Sequence, residues 1–264
     1  MPLSDTNFCH MKTICVLLFV CCCGMQAFSQ VDEIKRASSN NSNSKGSKSS
    51  DSSSDFSSDD DGGGGGFFIN FLFGGIAEWQ SFKLRSDRER YPGMVSLDLM
   101  FQGAVKPSGY YILWPRIRGN WGIFSTDFRM NYLIEEDTEG YKHIRTNDWQ
   151  VLQLNLVTSQ FVTLRFGTGF MQEAFNTKEM FSESAILLGI HAPDQTKSIN
   201  FEYRFALDFD SDANPRDEFG VYYQHQLFSS GKLHGYVSVG GVYQNYYHSI
   251  EVWGFQGGFV LRIF

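Results

Sequence analysis

Cysteine is missing from most of the chain, because all five cysteines lie within the first 23 of its 264 residues. Small secreted domains usually depend on disulfide bonds for their stability. If the cysteine-containing segment is removed, the remaining protein can form no disulfide, so its fold must be held together by other interactions. A closed β-barrel would meet this requirement, because each of its strands is paired on both sides.

Long apolar runs and an excess of positive charge are missing as well. No internal stretch approaches the ~18–20 consecutive apolar residues of a membrane-spanning helix, which excludes a helical membrane protein. The 22 lysines and arginines are outnumbered by 29 aspartates and glutamates. The chain therefore has no basic footprint for binding nucleic acid.

Motifs of catalysis and metal binding are absent too. The sequence has no HExxH, no GxSxG and no glycine-rich phosphate loop, and its histidines do not have the spacing of metal ligands. His248 and Ser249 are neighbours, so on a strand they would point to opposite faces and could form a nucleophile–base pair only in a turn. We therefore expect no enzymatic activity, no metal ion and no cofactor.

Aromatic residues, by contrast, are abundant. They make up 16% of the chain, which is more than an ordinary soluble core needs. In the last stretch, from Leu233 to Phe264, they alternate with polar residues, and successive side chains of a strand point to opposite faces. One face of the last strand is therefore apolar, with Trp253, Phe255, Phe259, Leu261 and Ile263. The other face is polar or glycine-rich, with Gly254, Gln256, Gly258 and Arg262.

This last strand resembles the closing strand of outer-membrane β-barrel proteins of Gram-negative bacteria, which is apolar outside, polar inside and ends on an aromatic residue. It departs from that pattern at the end, since the apolar set stops at Ile263 and Phe264 falls out of phase. The alternation repeats from Met94 onward, so the resemblance covers residues 94–264. It implies an all-β fold, namely a transmembrane antiparallel up-and-down barrel of about ten strands, within a range of roughly eight to twelve.

In such a barrel the aromatic face contacts outer-membrane lipid and the opposite face lines the lumen. The predicted lipid-facing set includes Leu97, Leu99, Phe128, Leu164, Phe166, Phe205, Leu207, Phe255 and Leu261. The predicted lumen set is a network of charges within otherwise apolar strands: Asp98, Arg116, Arg118, Asp127, Arg129, Arg165, Glu202, Arg204, Asp208 and Arg262. A wide channel needs ~16 strands, and buried charges must be paired. The lumen is therefore expected to be plugged or very narrow.

The functional prediction is a structural or accessory subunit of an outer-membrane assembly, with a protein partner in the outer membrane or periplasm. Two alternatives stay open. A narrow porin would use the lumen charges for permeation. A soluble secreted barrel of the lipocalin kind would carry a small apolar ligand, with its aromatic residues inward and its charges outward. Gly119-Asn120-Trp121 resembles the Gly-x-Trp of the lipocalin family.

The first 93 residues divide into three segments of different composition. Residues 1–29 are typical of a signal peptide cut after Ser29, with 1–10 as an upstream extension and lipidation at one of Cys21 to Cys23 as the alternative. Residues 30–66 are rich in Ser, Asn, Asp and Gly, which predicts a disordered tether in the periplasm. Residues 67–93 are predicted to be an apolar and charged interfacial segment that contacts a partner, with an extra strand at 67–76 as the alternative.

The links between the predicted strands alternate in length. Three of them are expected to be long and charged, at 135–148, 172–184 and 210–218. Outer-membrane barrels have short periplasmic turns and longer external loops. The alternation therefore predicts that the first strand runs outward and that both termini of the barrel lie in the periplasm.

Overall fold

The structure is a computed structural model that describes residues 29–45, 78, 80–82, 94–106, 109–137, 140–175, 178–208 and 213–264. These residues form the helix α1 (Gln30–Lys45) and ten strands. The strands are β1 (Val95–Lys106), β2 (Tyr110–Trp121), β3 (Phe124–Asp137), β4 (Gly140–Thr158), β5 (Val162–Glu173), β6 (Met180–His191), β7 (Lys197–Asp208), β8 (Ala213–Ser230), β9 (Leu233–Tyr246) and β10 (Ile250–Ile263).

The ten strands close into an up-and-down barrel. Each strand pairs antiparallel with its neighbours in sequence, and β1 pairs with β10, from Leu97 opposite Ile263 to Val105 opposite Phe255. The predicted all-β, antiparallel barrel of about ten strands is thereby confirmed. Closure leaves no strand edge of the sheet unpaired, so backbone hydrogen bonds join the ends of a barrel that contains no cysteine.

The strand side chains alternate between the two faces of the sheet, with the period that the sequence predicts. In β1, Asp98 and Gln102 are buried inside the barrel, whereas Leu97 and Phe101 are exposed outside. The same alternation continues around the barrel, where exposed apolar side chains include Ile117, Trp121, Phe166, Ile186, Val239 and Phe255. The barrel is therefore largely polar inside and apolar outside.

The strands are linked at two rims. The terminal rim is the one at which β1 begins and β10 ends, with links at 122–123, 159–161, 192–196 and 231–232. The hairpin rim is the opposite one, with links at 107–109, 138–139, 174–179, 209–212 and 247–249. The longest link of the hairpin rim, 174–179, is hardly longer than the link 192–196 at the terminal rim. Link length therefore does not distinguish the two rims.

The prediction of three long charged loops is wrong. β3 and β4 stay paired to their tip, where Asp137 lies opposite Gly140, and β6 and β8 begin well before the predicted loops would end. Charged residues in these stretches are typical of solvent-exposed loops, but some of them, such as Asp148 and Glu183, are buried in the barrel interior. The prediction that the first strand runs outward depended on the lengths of these loops, so it is no longer supported by them.

The predicted disordered tether is wrong in its first part, because residues 30–45 form α1. Its buried residues Val31, Ile34 and Ser38 recur at helical spacing, a stripe hidden by the Ser- and Asn-rich composition that follows it. Such residues are poor helix formers, and an isolated helix of this length is marginal in water. Contacts with the barrel therefore stabilise α1. Residues 46–66 lie outside the described residues.

The other N-terminal predictions fall largely outside the described residues. These are the signal peptide except Ser29, the alternative lipidation site, and most of the interfacial segment 67–93. Gln80 of that segment contacts the terminal rim, where its side chain donates to the Trp121 carbonyl at 2.9 Å and accepts from the Ile123 N–H at 2.7 Å. The described residues contain no helix that is both long and apolar enough to cross a bilayer.

Candidate functional site

The predicted lumen residues all lie on the inner face of the barrel. Eight of them are buried: Asp98, Arg116, Arg118, Asp127, Arg129, Glu202, Arg204 and Asp208. Arg165 and Arg262 are half-buried and line a cavity at the terminal rim. The period-two pattern of the strands is what brings these residues together, because each contributes a side chain from the inward positions of its strand.

Asp127 on β3 is the centre of the interior charges. Its carboxylate accepts hydrogen bonds from Arg116, from Arg118 Nη2 at 2.9 Å and from Arg204 Nη2 at 3.1 Å. The Asp127 side chain is fully buried. Three guanidinium groups thus surround one carboxylate, and their remaining positive charge must be offset by other groups.

Two ion pairs cross the lumen from wall to wall. Arg116 on β2 donates to Glu202 on β7 at 2.8 and 2.9 Å, and Arg129 on β3 donates to Glu218 on β8 at 2.5 and 2.9 Å. In the strand order of the closed barrel, β2 lies directly across from β7, and β3 directly across from β8. Both are two-donor pairs, the strongest arrangement for arginine and a carboxylate.

Residues that the sequence placed in loops complete these contacts. Arg216 Nη2 lies 2.7 Å from Asp148 and 3.1 Å from Glu183. The sequence does not predict these contacts, because the charged stretches around these side chains are typical of loops. The sequence does indicate the position of two of them. Arg216 and Glu218 are separated from Gln224, an inward residue of the same strand, by an even number of positions, so all three side chains point to the same face.

The lumen network, as we call these ion pairs, is electrically balanced. Five guanidinium groups and five carboxylates form an unbroken series of contacts among Arg116, Arg118, Arg129, Arg204, Arg216, Asp127, Asp148, Glu183, Glu202 and Glu218. The set predicted from the sequence has an excess of arginine, because three of these carboxylates were not included. The space beside the network is about 20 Å³, which holds roughly one or two water molecules.

The remaining predicted lumen residues lie above or below this network. Asp98 binds Arg262 across the β1–β10 seam at 2.7 Å. Asp208 lies at the hairpin rim, where it accepts a hydrogen bond from Asn41 of α1 at 3.0 Å. Arg165 faces the terminal rim, and its Nε makes no hydrogen bond with any described residue.

The predicted lipid-facing residues all lie on the outer surface, and none of them is buried. The most exposed are Leu97, Phe166, Leu207 and Phe255. The partly exposed ones are Leu99, Phe128, Leu164, Phe205 and Leu261. Their contact with lipid itself stays a prediction.

The helix α1 lies across the hairpin rim. Val31 and Ile34 pack into a cluster of buried apolar side chains from the barrel wall, which includes Ile112, Trp114, Leu133, Ile144, Val242 and Val252. Farther along the helix, the Ser38 hydroxyl donates to Glu173 on β5 at 2.6 Å. Because these contacts come from several sides of the barrel, α1 closes the opening of the barrel at the hairpin rim.

Glu135 on β3 caps the N-terminus of α1. Its carboxylate accepts hydrogen bonds from the backbone N–H groups of Gln30 at 3.0 Å and Val31 at 2.9 Å, and from the Ser29 hydroxyl at 3.2 Å. The first N–H groups of a helix have no partner within the helix and carry partial positive charge. A carboxylate of the barrel wall therefore supplies the acceptor that a helix normally finds in its own N-cap residue.

An ion pair fixes the first turn of α1 from the side. Lys142 Nζ on β4 lies 2.6 Å from Asp32 Oδ2. The hydrogen bond from Lys142 lowers the pKa of Asp32 below its ordinary value, against the opposing effect of burial. Since the pKa is lowered, the stabilisation is present at neutral pH and is lost as the pH falls through the lowered value. Both side chains are partly exposed, so the contribution is small.

Replacing Glu135 with glutamine is expected to loosen α1 while the barrel stays folded. The variant loses the charge that faces the helix N-terminus and one acceptor oxygen, at a cost of about 1–2 kcal/mol to helix docking. Hydrogen exchange of the amides of residues 30–38 should become faster. Glu136→Gln is the matched control, because Glu136 is exposed on the same strand. Equal exchange in both variants would contradict the capping role.

His248 and Ser249 lie in the 247–249 link and not on a strand. The His248 ring lies 3.9 Å from Asp217, and within the described part of the chain no hydrogen bond joins His248 to Ser249. His248 and Ser249 therefore do not form an assembled nucleophile–base pair. Among the described residues, no group of three or more His, Cys, Asp and Glu side chains could hold a metal ion.

The interior thus combines a balanced charge network, a helix that covers one rim and a cavity at the other. Chemically, this arrangement holds charges in fixed positions and leaves little free volume between them. In comparisons with protein-family models, with curated proteins and with solved structures, nothing matches this chain.

Proposed function

We propose that the chain is an integral β-barrel of the Gram-negative outer membrane with a plugged lumen, and that it acts as a non-catalytic structural or accessory subunit. The observation that supports this most is the distribution of polarity, with charges inside and apolar side chains outside. Soluble monomers rarely expose large continuous apolar surfaces. Surrounding the barrel with lipid removes the cost of exposing this wall to water.

The strand lengths agree with a bilayer. The shortest strands have 12 residues, and with ~3.3 Å per residue and a tilt of about 40° they rise about 30 Å along the barrel axis. The apolar band of an outer-membrane barrel is about 25 Å tall and is bordered by aromatic girdles. Aromatic residues also lie next to one another on four neighbouring strands, where Trp253, Tyr243, Phe219 and Tyr203 are partners in register.

The proposal is tested by fractionation of cells that make the full chain. The protein should sediment with outer membranes, resist extraction with carbonate and migrate differently on SDS gels before and after heating. Recovery as a monomer from the soluble fraction, without detergent, would overturn membrane embedding.

The accessory role requires a protein partner in the outer membrane or periplasm. Because the charges of the lumen network are paired with one another, we propose that partner contacts lie at the rims and the outer wall. Native electrophoresis of outer membranes in mild detergent should show the chain in an assembly larger than its own micelle. Migration as a single chain under those conditions would contradict the accessory role.

A narrow channel is the second candidate, because α1 is a separate element that could leave the hairpin rim. Deleting residues 30–45 is nevertheless expected not to open a conducting path, since the lumen network still crosses the barrel from wall to wall. Planar bilayers should show no steady single-channel steps for the native protein or for the deletion. Steps in the native protein would restore the porin, and steps in the deletion alone would make α1 its gate.

A soluble lipocalin-like carrier is not supported. Such a carrier needs an apolar cavity and a polar exterior, the reverse of the distribution described above. In Gly119-Asn120-Trp121, the tryptophan is exposed on the outer surface, so it does not line a cavity. The resemblance to the lipocalin Gly-x-Trp therefore does not extend to the position of its side chain.

A further inference from the structure

A cavity opens at the terminal rim, on the side of the lumen network opposite α1. Its volume is about 90 Å³, and since each water needs about 10–15 Å³ on this scale, it could hold several waters or one small solute. Its lining combines basic and polar side chains, among them Arg118, Arg165, Asn200, Gln224 and Arg262, with apolar ones such as Met94, Met100 and Phe264. None of the described residues that line it has a carboxylate side chain.

Arg165 on β5 distinguishes this cavity from the rest of the interior. Arg118 is bound to Asp127 and Arg262 is bound to Asp98, but no hydrogen bond or ion pair joins the side chain of Arg165 to any described residue. The charges that act on it include those of Arg118 and Arg262, which repel it, whereas Asp98 attracts it. Three guanidinium groups therefore line one cavity, and the Asp98 carboxylate attracts all three of them.

An unpaired guanidinium in such a position is costly, because desolvation of its charge is not offset by a partner. In the lumen network, by contrast, each guanidinium has a carboxylate. Arginine binds oxyanions through its planar fork of donors, and the Gln224 side-chain amide adds a neutral donor at the same cavity. An oxyanion in this cavity would supply the negative charge that the Arg165 side chain lacks.

We propose that this cavity binds a small anion through a phosphate group, with Arg165 as the principal ligand. The guanidinium groups belong to β2, β5 and β10, so they approach from different parts of the wall. A carboxylate offers two oxygens in one plane, whereas a phosphate offers three or four in a tetrahedral arrangement that suits donors from several sides. The phosphate could belong to a free solute or to a lipid headgroup.

The test uses the full chain purified in a phosphate-free detergent, with two probes measured by titration calorimetry. Inorganic phosphate represents the free solute and dihexanoyl phosphatidic acid represents the headgroup. We expect saturable binding of at least one probe at constant ionic strength, and the probe that binds identifies the source. Arg165→Gln should weaken that binding at least tenfold. Arg145→Gln, which removes an exposed arginine near the other rim, should leave it unchanged.

Two results would overturn the proposal. One is the absence of binding of either probe to the native chain, and the other is equal binding by the native chain and Arg165→Gln. Without a probe, Arg165→Gln should melt at the same or a higher temperature, because it removes a charge that has no partner. Failure of this variant to fold would show that Arg165 has a structural partner, which also contradicts the site. None of these measurements depends on membrane embedding, which the fractionation tests separately.

Discussion

Replacing Phe101 with arginine is expected to destabilise the membrane-inserted barrel by about 2–4 kcal/mol. Phe101 lies near the middle of β1 on the outer face, where its side chain is 62% exposed. At that depth the guanidinium would lie in hydrocarbon, far from the water at either rim. Urea titration of the barrel folded into lipid vesicles, followed by tryptophan fluorescence, would measure the loss.

Tyr141→Arg is the matched control for this substitution. Tyr141 is 71% exposed but lies at the tip of the β3–β4 hairpin, where an arginine reaches water and costs about 0–1 kcal/mol. A barrel in water would tolerate both substitutions equally, because a surface arginine is as well solvated in mid-strand as at the tip. Equal losses, or a greater loss at Tyr141, would therefore count against membrane embedding.

Replacing Asp127 with asparagine is expected to produce the second large loss, about 3–5 kcal/mol of unfolding free energy. Asparagine has nearly the same shape, so the packing is kept while the charge shared by Arg116, Arg118 and Arg204 is removed. Those three guanidinium groups would be left with too few carboxylates in a buried site that has room for only one or two water molecules. The urea midpoint of unfolding, compared with that of the native chain, gives the magnitude.

Asp194→Asn serves as the control for the removal of a carboxylate. Asp194 lies in the 192–196 link, is exposed, and bonds only locally to Thr196, so its loss should change stability little. If Asp127→Asn were as stable as this control, the lumen network would not contribute to the fold. Its charges would then have to be compensated by water.

The barrel wall could be predicted from sequence because a strand reveals its two faces through a period of two. Phe205 and Arg204 are neighbours in sequence, yet the alternation alone places the first outside and the second inside. The same reasoning gave the inward position of Asp98 and Arg262. It did not show that these two residues pair with each other, because the register of the closing seam depends on contacts between distant parts of the chain.

The structural features that the sequence does not predict are those whose local composition is typical of a different structure. Asp148 and Glu183 belong to charged stretches that look like loops, but the walls around them are long enough to bury them opposite arginines. Val31 and Ile34 precede a tract of serine and asparagine, whose polarity suggests disorder. Neither the cap from Glu135 nor the apolar cluster around α1 can be read locally, since both are made by strands more than 60 residues away along the chain.

The β1–β10 seam also gives folding an expected order. Every other strand pair joins neighbours in sequence, whereas Asp98 and Arg262 are 164 residues apart, and distant pairings form late because loop closure must precede them. Until that moment the sheet has two open edges. The hairpin rim does not yet surround α1 either, because its contacts include strands on both sides of the opening. The helix is therefore expected to be enclosed as the wall forms around it, and not to enter a finished barrel.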